Sequence, residues 1–319
     1  SRRDAAPECV QCRERHLPNA SGVNLKKGST DAIAVIVGDL LYPYYAKLLK
    51  QIAYCLNEHG KSIIVCDADN DFRTELQHYQ RMKSGYVDGA IIVPSPLTVT
   101  RENVKTALKV LGGLDLPITF VCHGLPPFEC YSTVGTPPYA CGYLAAKHLL
   151  ELGHRRIAYV SESLEHETLN PKLLGFRAAL REYGADDCGD LTRYGCARYS
   201  GGSSAYQELA ASDMTAVVCS DDLLAIGFLS AAITDGRRVP QELSVVGMDN
   251  IMATLHSMPK ITTVSQNTQL IARNAVDCLL DEIDARKRGR HADITHIAVE
   301  PTLMVRESTG AVRPGEGTR

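Results

Sequence analysis

Four polar residues, Asp221, Asp222, Asp249 and Asn250, stand at the ends of two short apolar runs. Ala216 to Cys219 (AVVC) and Leu243 to Gly247 (LSVVG) are runs of the kind that form strands buried on both faces. Between them Leu223 to Ile233 is apolar enough for a helix laid on a sheet, with Ser220 placed to cap it and Gly236 and Pro240 to end it. Strand, helix and strand in that order form a parallel unit. Both acidic turns then fall on the carboxyl edge of one sheet, where open α/β sheets bind ligands. An ionised carboxylate can only accept hydrogen bonds, so the chemistry expected there is recognition of hydroxyl donors rather than phosphates.

The elements that must carry this edge alternate along the chain. Strands are expected at Ile33 to Val37, Ser62 to Cys66, Gly89 to Val93, Ile118 to Cys122, Ile157 to Val160, Ala216 to Cys219 and Ser244 to Gly247. Helices are expected near Tyr44 to His59, Thr74 to Ser84, Val104 to Leu111, Tyr139 to Leu152, Pro171 to Tyr183 and Ser203 to Ala211. Such alternation predicts an α/β chain with a doubly wound parallel pattern repeated twice. A chain of 319 residues suits two lobes better than one core.

Several segments in fixed order resemble the lac repressor family of bacterial transcription regulators: DDLLAIGFLSA from Asp221, RVPQELSVVGMDN from Arg238, AIAVIVGDLLYPYYA from Ala32, GYLAAKHLLELGHRRIAY from Gly142, GFRAAL from Gly175 and ITTVSQ from Ile261. The resemblance covers about residues 15 to 308. It implies two doubly wound parallel-sheet lobes of the type I periplasmic-binding-protein kind, joined by three crossovers. Residues 31–152 and 264–292 are then expected in the N-terminal lobe, 153–263 and 293–308 in the C-terminal lobe, and 309–319 in a disordered tail. It also implies a small-molecule effector held between the lobes by Tyr44, Tyr45, His123, Lys172, Asp221, Asp249 and Gln266. The two tyrosines would offer flat rings to a sugar or heterocycle, Asp249 would accept from effector hydroxyls, and Asp222 would cap or orient the following helix. Lys172 stands where the family has an effector-gripping Arg, a point charge in place of a planar fork. With His123, it tilts the expectation among sugars, sugar acids and sugar phosphates toward an acidic or phosphorylated sugar.

The N-terminal segment HLPNASGVNLKKG (His16 to Gly28) resembles the family's hinge, whose helix lies in the DNA minor groove. By that resemblance Leu25 would wedge a base step, with Asn19 beside it and Lys26 and Lys27 facing phosphates. About fifteen residues precede this segment, too few for a helix-turn-helix, so residues 1–30 are expected to be the remnant of a DNA-binding head and hinge. Operator DNA would be reached through a head absent from this chain. The family also implies a homodimer.

Composition sets limits. A net charge of -3 provides no general basic field for nucleic acid, and 45% hydrophobic with 22% charged residues is the mix of an ordinary soluble protein. No apolar run approaches the roughly 20 residues of a membrane span, and no secretory signal opens the chain, so the cytoplasm is expected. Eleven cysteines, mostly scattered, read as reduced thiols. No phosphate-binding glycine loop, nucleophile elbow or zinc-protease motif is present. The pair Cys9 and Cys12 lacks further ligands for zinc. Neither enzyme activity, metal nor cofactor is expected. The alternative reading is a periplasmic-type sugar-binding protein for transport or chemoreception, which shares the bilobed fold.

Overall fold

The computed structural model describes residues 29–95, 100–124, 128–162, 170–187 and 189–312. They form two six-stranded sheets. The first contains β1 (Ala32–Val37), β2 (Ser62–Asp67), β3 (Gly89–Ile92), β4 (Ile118–Phe120), β5 (Ser132–Gly135) and β11 (His296–Ala298) in the order β11-β5-β4-β3-β1-β2, all parallel. The second contains β6 (Ile157–Val160), β7 (Thr192–Arg193), β8 (Ala216–Cys219), β9 (Ser244–Met248), β10 (Thr262–Ser265) and β12 (Thr302–Met304) in the order β12-β10-β9-β8-β6-β7. Only β12, on the edge, runs antiparallel to its neighbour β10.

Each sheet is covered on both faces, and the period-two alternation of its strands sorts side chains between two cores. Ile33, Val35 and Val37 of β1 pack with α1 (Pro43–Glu58) and α8 (Thr268–Lys287), while Ala34 and Ile36 face α2 (Phe72–Arg81) and α3 (Arg101–Leu111). In the second sheet Ile157 and Tyr159 join α4 (Pro138–Glu151) and α5 (Pro171–Glu182). Ala158 and Val160 join α6 (Arg198–Leu209) and α7 (Asp222–Thr234). Doubly buried strands need apolar residues at every position, which is why β1, β6 and β8 read as unbroken apolar runs.

The helices of the second sheet pair closely. A Cβ on Gly142 of α4 would lie 1.8 Å from the Lys172 carbonyl of α5, and one on Gly175 would lie 1.9 Å from the Tyr139 carbonyl. Gly202 of α6 and Gly227 of α7 make the same reciprocal approach, at 2.1 and 2.0 Å. Two helix pairs therefore touch backbone to backbone. The N-termini of α5, α6 and α7 lie at the carboxyl edge of the second sheet because each helix follows one of its parallel strands, β6, β7 and β8.

The crossovers differ from the expected boundaries. α4 packs on α5 and on β8, β9 and β10, so the chain first leaves the first lobe between β5 and α4 rather than after residue 152. The second crossing lies between β10 and α8, and the third between β11 and β12, because β11 pairs with β5 of the first sheet. An apolar stripe on a helix says that the helix packs, not which sheet it packs on. Residues 309–312 are also more than a free tail. Thr309 bonds Thr262 and His148 at 3.0 Å each, Gly310 N–H donates to Ser244 Oγ at 3.1 Å, and Val312 N–H donates to the Leu152 carbonyl at 3.1 Å. The expected hinge residues Asn19, Leu25, Lys26 and Lys27, and positions 313–319, lie outside the described residues. Among the described residues no helix is long and apolar enough to cross a membrane, and the eight cysteines are free thiols.

Candidate functional site: a polar cleft between the sheets

The start of α7 supplies two carboxylates with different work. Asp221, not Ser220, is the N-cap, and its Oδ1 accepts from Leu224 N–H at 2.9 Å. Its Oδ2 is buried and has no hydrogen-bond partner among the described residues. Burial is the main reason its carboxyl is raised to about 7, with the Asp249 and Glu162 charges adding to it. Asp222 does not cap. Fully buried, it accepts from Ile251 N–H at 2.8 Å and from the Thr263 hydroxyl at 2.6 Å, tying α7 to the turn after β9 and to β10.

That turn carries Asp249 and Asn250, both in the left-handed region at φ 97 and 51. Two consecutive non-glycine residues there store strain of order 1–3 kcal/mol each, and the surroundings hold them in place. Arg306 Nη2 donates to Asn250 Oδ1 at 2.5 Å, and Lys47 Nζ of α1 donates to the Asn250 carbonyl at 2.8 Å. Asp249 is buried and projects to the first lobe. Its Oδ2 accepts from the Tyr42 hydroxyl at 2.7 Å, and its Oδ1 accepts from Gln266 Nε2 at 2.5 Å. Gln266 Oε1 in turn accepts from the Tyr44 hydroxyl at 3.4 Å.

Tyr42, Tyr44 and Tyr45 form one aromatic group, with Tyr45 centred 5.6 Å from each of the other two rings. Tyr44 and Tyr45 are buried and pack in the core of the first lobe. Burial first, then the Asp249 charge, raises all three phenols above their ordinary range. The hydroxyls are donors at any physiological pH.

A second bridge lies beside the first. Asp39, buried at the end of β1, accepts from the guanidinium of Arg198, the first residue of α6. It also accepts from Leu41 N–H at 2.8 Å and Asn70 Nδ2 at 3.2 Å. Arg198 itself sits at φ 48. Lys172, half-buried at the start of α5, donates to the Ser220 carbonyl at 2.7 Å. Burial raises the half-buried Glu162 carboxyl, while Arg198 and Lys172 oppose the shift.

The structure thus joins Tyr44, Asp249 and Gln266 in one hydrogen-bonded chain, sets Tyr45 against it, and places Asp221 and Lys172 on the facing helix ends. His123 is not brought into this network: its ring is half-buried, and among the described residues it makes no hydrogen bond. Tyr42, Asp39 and Arg198 were not expected. Asp39 had a visible signal, since it closes β1 as Asp249 closes β9; Arg198 had none. Rings, carboxylates and amide groups facing one another across two lobes can hold a polar, hydroxylated small molecule.

Comparison with known proteins shows what the chain resembles. The periplasmic binding protein-like domain family matches residues 146–309. The chain is 29% identical over 298 residues to the HTH-type transcriptional repressor PurR of Glaesserella parasuis, covering 92% of this chain and 85% of that protein. It is 27% identical over 300 residues to PurR of Haemophilus influenzae, covering 93% and 87%. Among solved structures, a transcriptional regulator CelR–cellobiose complex superposes with TM-score 0.76 at 27% identity, covering 90% of this chain and 89% of that one. A LacI family transcriptional regulator from Enterococcus faecium with bound ribose superposes with TM-score 0.73 at 26% identity, covering 88% and 100%. The chain belongs to the periplasmic binding protein-like family, as the effector-binding part of a lac repressor family transcription regulator.

Proposed function

We propose that this chain senses a hydroxyl-rich small molecule between its lobes and converts binding into a change of lobe geometry that controls a DNA-binding segment, acting in the cytoplasm as a dimer and by binding rather than catalysis. One observation carries the reading. Asp249 belongs to the second lobe, yet its carboxylate takes the Tyr42 hydroxyl of the first, so a ligand that competes for those oxygens changes how the lobes meet. Only a ligand with different affinities for the two arrangements can shift them, and operator DNA must then alter effector affinity by the same factor.

The residues lining the cleft favour a donor-rich effector over an anion. Lys172 is engaged by a carbonyl, Lys47 by the Asn250 carbonyl and Arg198 by Asp39, while His123 stands apart. Among the described residues no cation of the cleft is left for an anion, so the tilt toward an acidic or phosphorylated sugar gives way. That two relatives of known structure carry cellobiose and ribose supports a neutral sugar scaffold. Dimerisation is supported by exposed apolar side chains on each lobe: Tyr54, Ile64 and Val65 on α1 and β2, and Met252, Leu255 and Met258, of which Met258 is 87% exposed.

Calorimetric titration of neutral pentoses, hexoses and disaccharides, on protein whose dimeric state is checked by sedimentation, tests this reading. Asp249→Ala is expected to weaken any sugar that binds by about 100-fold, roughly 3 kcal/mol, as loss of a buried charged acceptor implies. Unchanged affinity in that variant would remove the cleft from the mechanism.

A further inference from the structure

We infer that the effector carries a protonated amine, which binds Asp221 Oδ2 at the start of α7. This rests on the cleft reading above and adds a charge to it. Asp221 is 4% exposed, and capping of α7 accounts for its Oδ1 alone. Oδ2 has no hydrogen-bond partner among the described residues. Asparagine or serine caps a helix equally well without a second, charged oxygen. A buried carboxylate oxygen without a partner costs the fold stability, and such costs gather where a ligand is recognised.

The neighbouring charges decide which donor suits it. Asp39 is neutralised by Arg198. Asp222, behind the site, is bound by Ile251 N–H and the Thr263 hydroxyl, with the Arg306 charge acting on it from beyond. The charges acting on Asp221 are then Asp249 and Glu162, which raise its carboxyl, and Lys172, which lowers it. Arg198 also acts on Glu162, and Lys47 on Asp249 and Asp222. The five carboxylates Asp39, Glu162, Asp221, Asp222 and Asp249 thus meet four cations, Lys47, Lys172, Arg198 and Arg306, and one negative charge is left over. Lys172 already donates to the Ser220 carbonyl. A hydroxyl would fill the hydrogen bond and leave the excess charge. An ammonium supplies a donor and the missing charge together, in the stronger charge-assisted form.

Matched sets of hexoses, pentoses and alditols differing only in one substituent (hydroxyl, amine, acetamide or carboxylate) make the test, titrated calorimetrically at pH 7. At least one amine is expected to bind 10-fold or more tightly than its hydroxyl and acetamide counterparts. Asp221→Asn, which keeps the helix cap, should abolish that preference. Ligand-free Asp221→Asn should also melt higher than the wild type at pH 8, by about 2 °C, with the gain fading toward pH 5 as the wild-type carboxyl protonates. A lower melting temperature in the variant at pH 8 would make Asp221 a purely structural cap and overturn the inference. So would an amine preference that survives the substitution. Neutral sugars bound without amine preference, and lost in Asp249→Ala, would sink the amine and leave the cleft reading standing; no binding by any member would sink both.

Discussion

Asp221 and Asp222 are adjacent acids at the head of one helix, and the fold uses them oppositely. Asp222 is fully buried and doubly hydrogen-bonded, whereas Asp221 keeps one oxygen unpaired among the described residues. Successive residues at a helix start point in different directions, so neighbours in sequence need not share an environment. Tyr42 shows the opposite case, a partner 207 positions from Asp249. Its phenol has no sequence signature because the contact exists only once two lobes are assembled. Tyr42→Phe keeps the ring and removes the hydroxyl, so Asp249 loses a charge-assisted bond. We expect the free energy of unfolding to fall by about 2 kcal/mol, read from the urea midpoint at constant slope. Wild-type stability in the variant would mean that the bridge contributes nothing to holding the lobes together.

At the scale of elements, α4 and α5, and α6 and α7, touch backbone to backbone. These pairings need glycine, because a methyl group on Gly142 would overlap the Lys172 carbonyl at 1.8 Å. Gly142→Ala is therefore expected to push the helices apart and lower stability by about 3 kcal/mol, the upper part of the range for overpacking. A shift in urea midpoint equivalent to less than about 0.5 kcal/mol would show that the pair can slide freely. Strands on this scale were largely legible. β6 and β8 have the expected limits, and β1, β2, β3, β4 and β9 differ by one or two residues. β5, β7, β10, β11 and β12 carry no clear strand signal in the sequence. Their sequences (STVG, TR, TTVS, HIA and TLM) are short, and most mix threonine or serine with apolar residues, so no buried run stands out.

Across the whole molecule, His154 ties the segment at Gly310 back onto the second lobe. Its ring is 3% exposed and bonds Thr215, Ser244 and the Gly310 carbonyl at 2.9 to 3.0 Å. Burial is the main cause that lowers its pKa from 6.5 to about 4. The neutral ring is thus the form that folds. Its contribution is fully present above pH 6.5, the unfolded value, and is lost as pH falls toward 4; the shift corresponds to about 3 kcal/mol. Asp221, raised to about 7, acts with the opposite sign, gaining stability as pH falls toward 4, so the two partly cancel in the wild type. The difference between wild type and His154→Gln is the cleaner measure. The variant's melting temperature should lie below the wild type at pH 7.5 and close on it by pH 4; a constant gap across that range would mean that His154 does not titrate with folding.

The alternation of apolar runs determined by itself that this chain is a repeated α/β pattern, because strands buried on both faces must be apolar throughout and the helices between them must carry an apolar stripe. It also placed Asp221 and Asp249 at a strand's carboxyl end, since where a run stops is a local property. Only the tertiary structure decided which lobe owns α4 and β11, which of two adjacent acids is the cap, and that Tyr42 and Arg198 bridge the cleft. Those outcomes depend on pairings between distant segments, whose energies come from burial and geometry that no local stretch of residues contains.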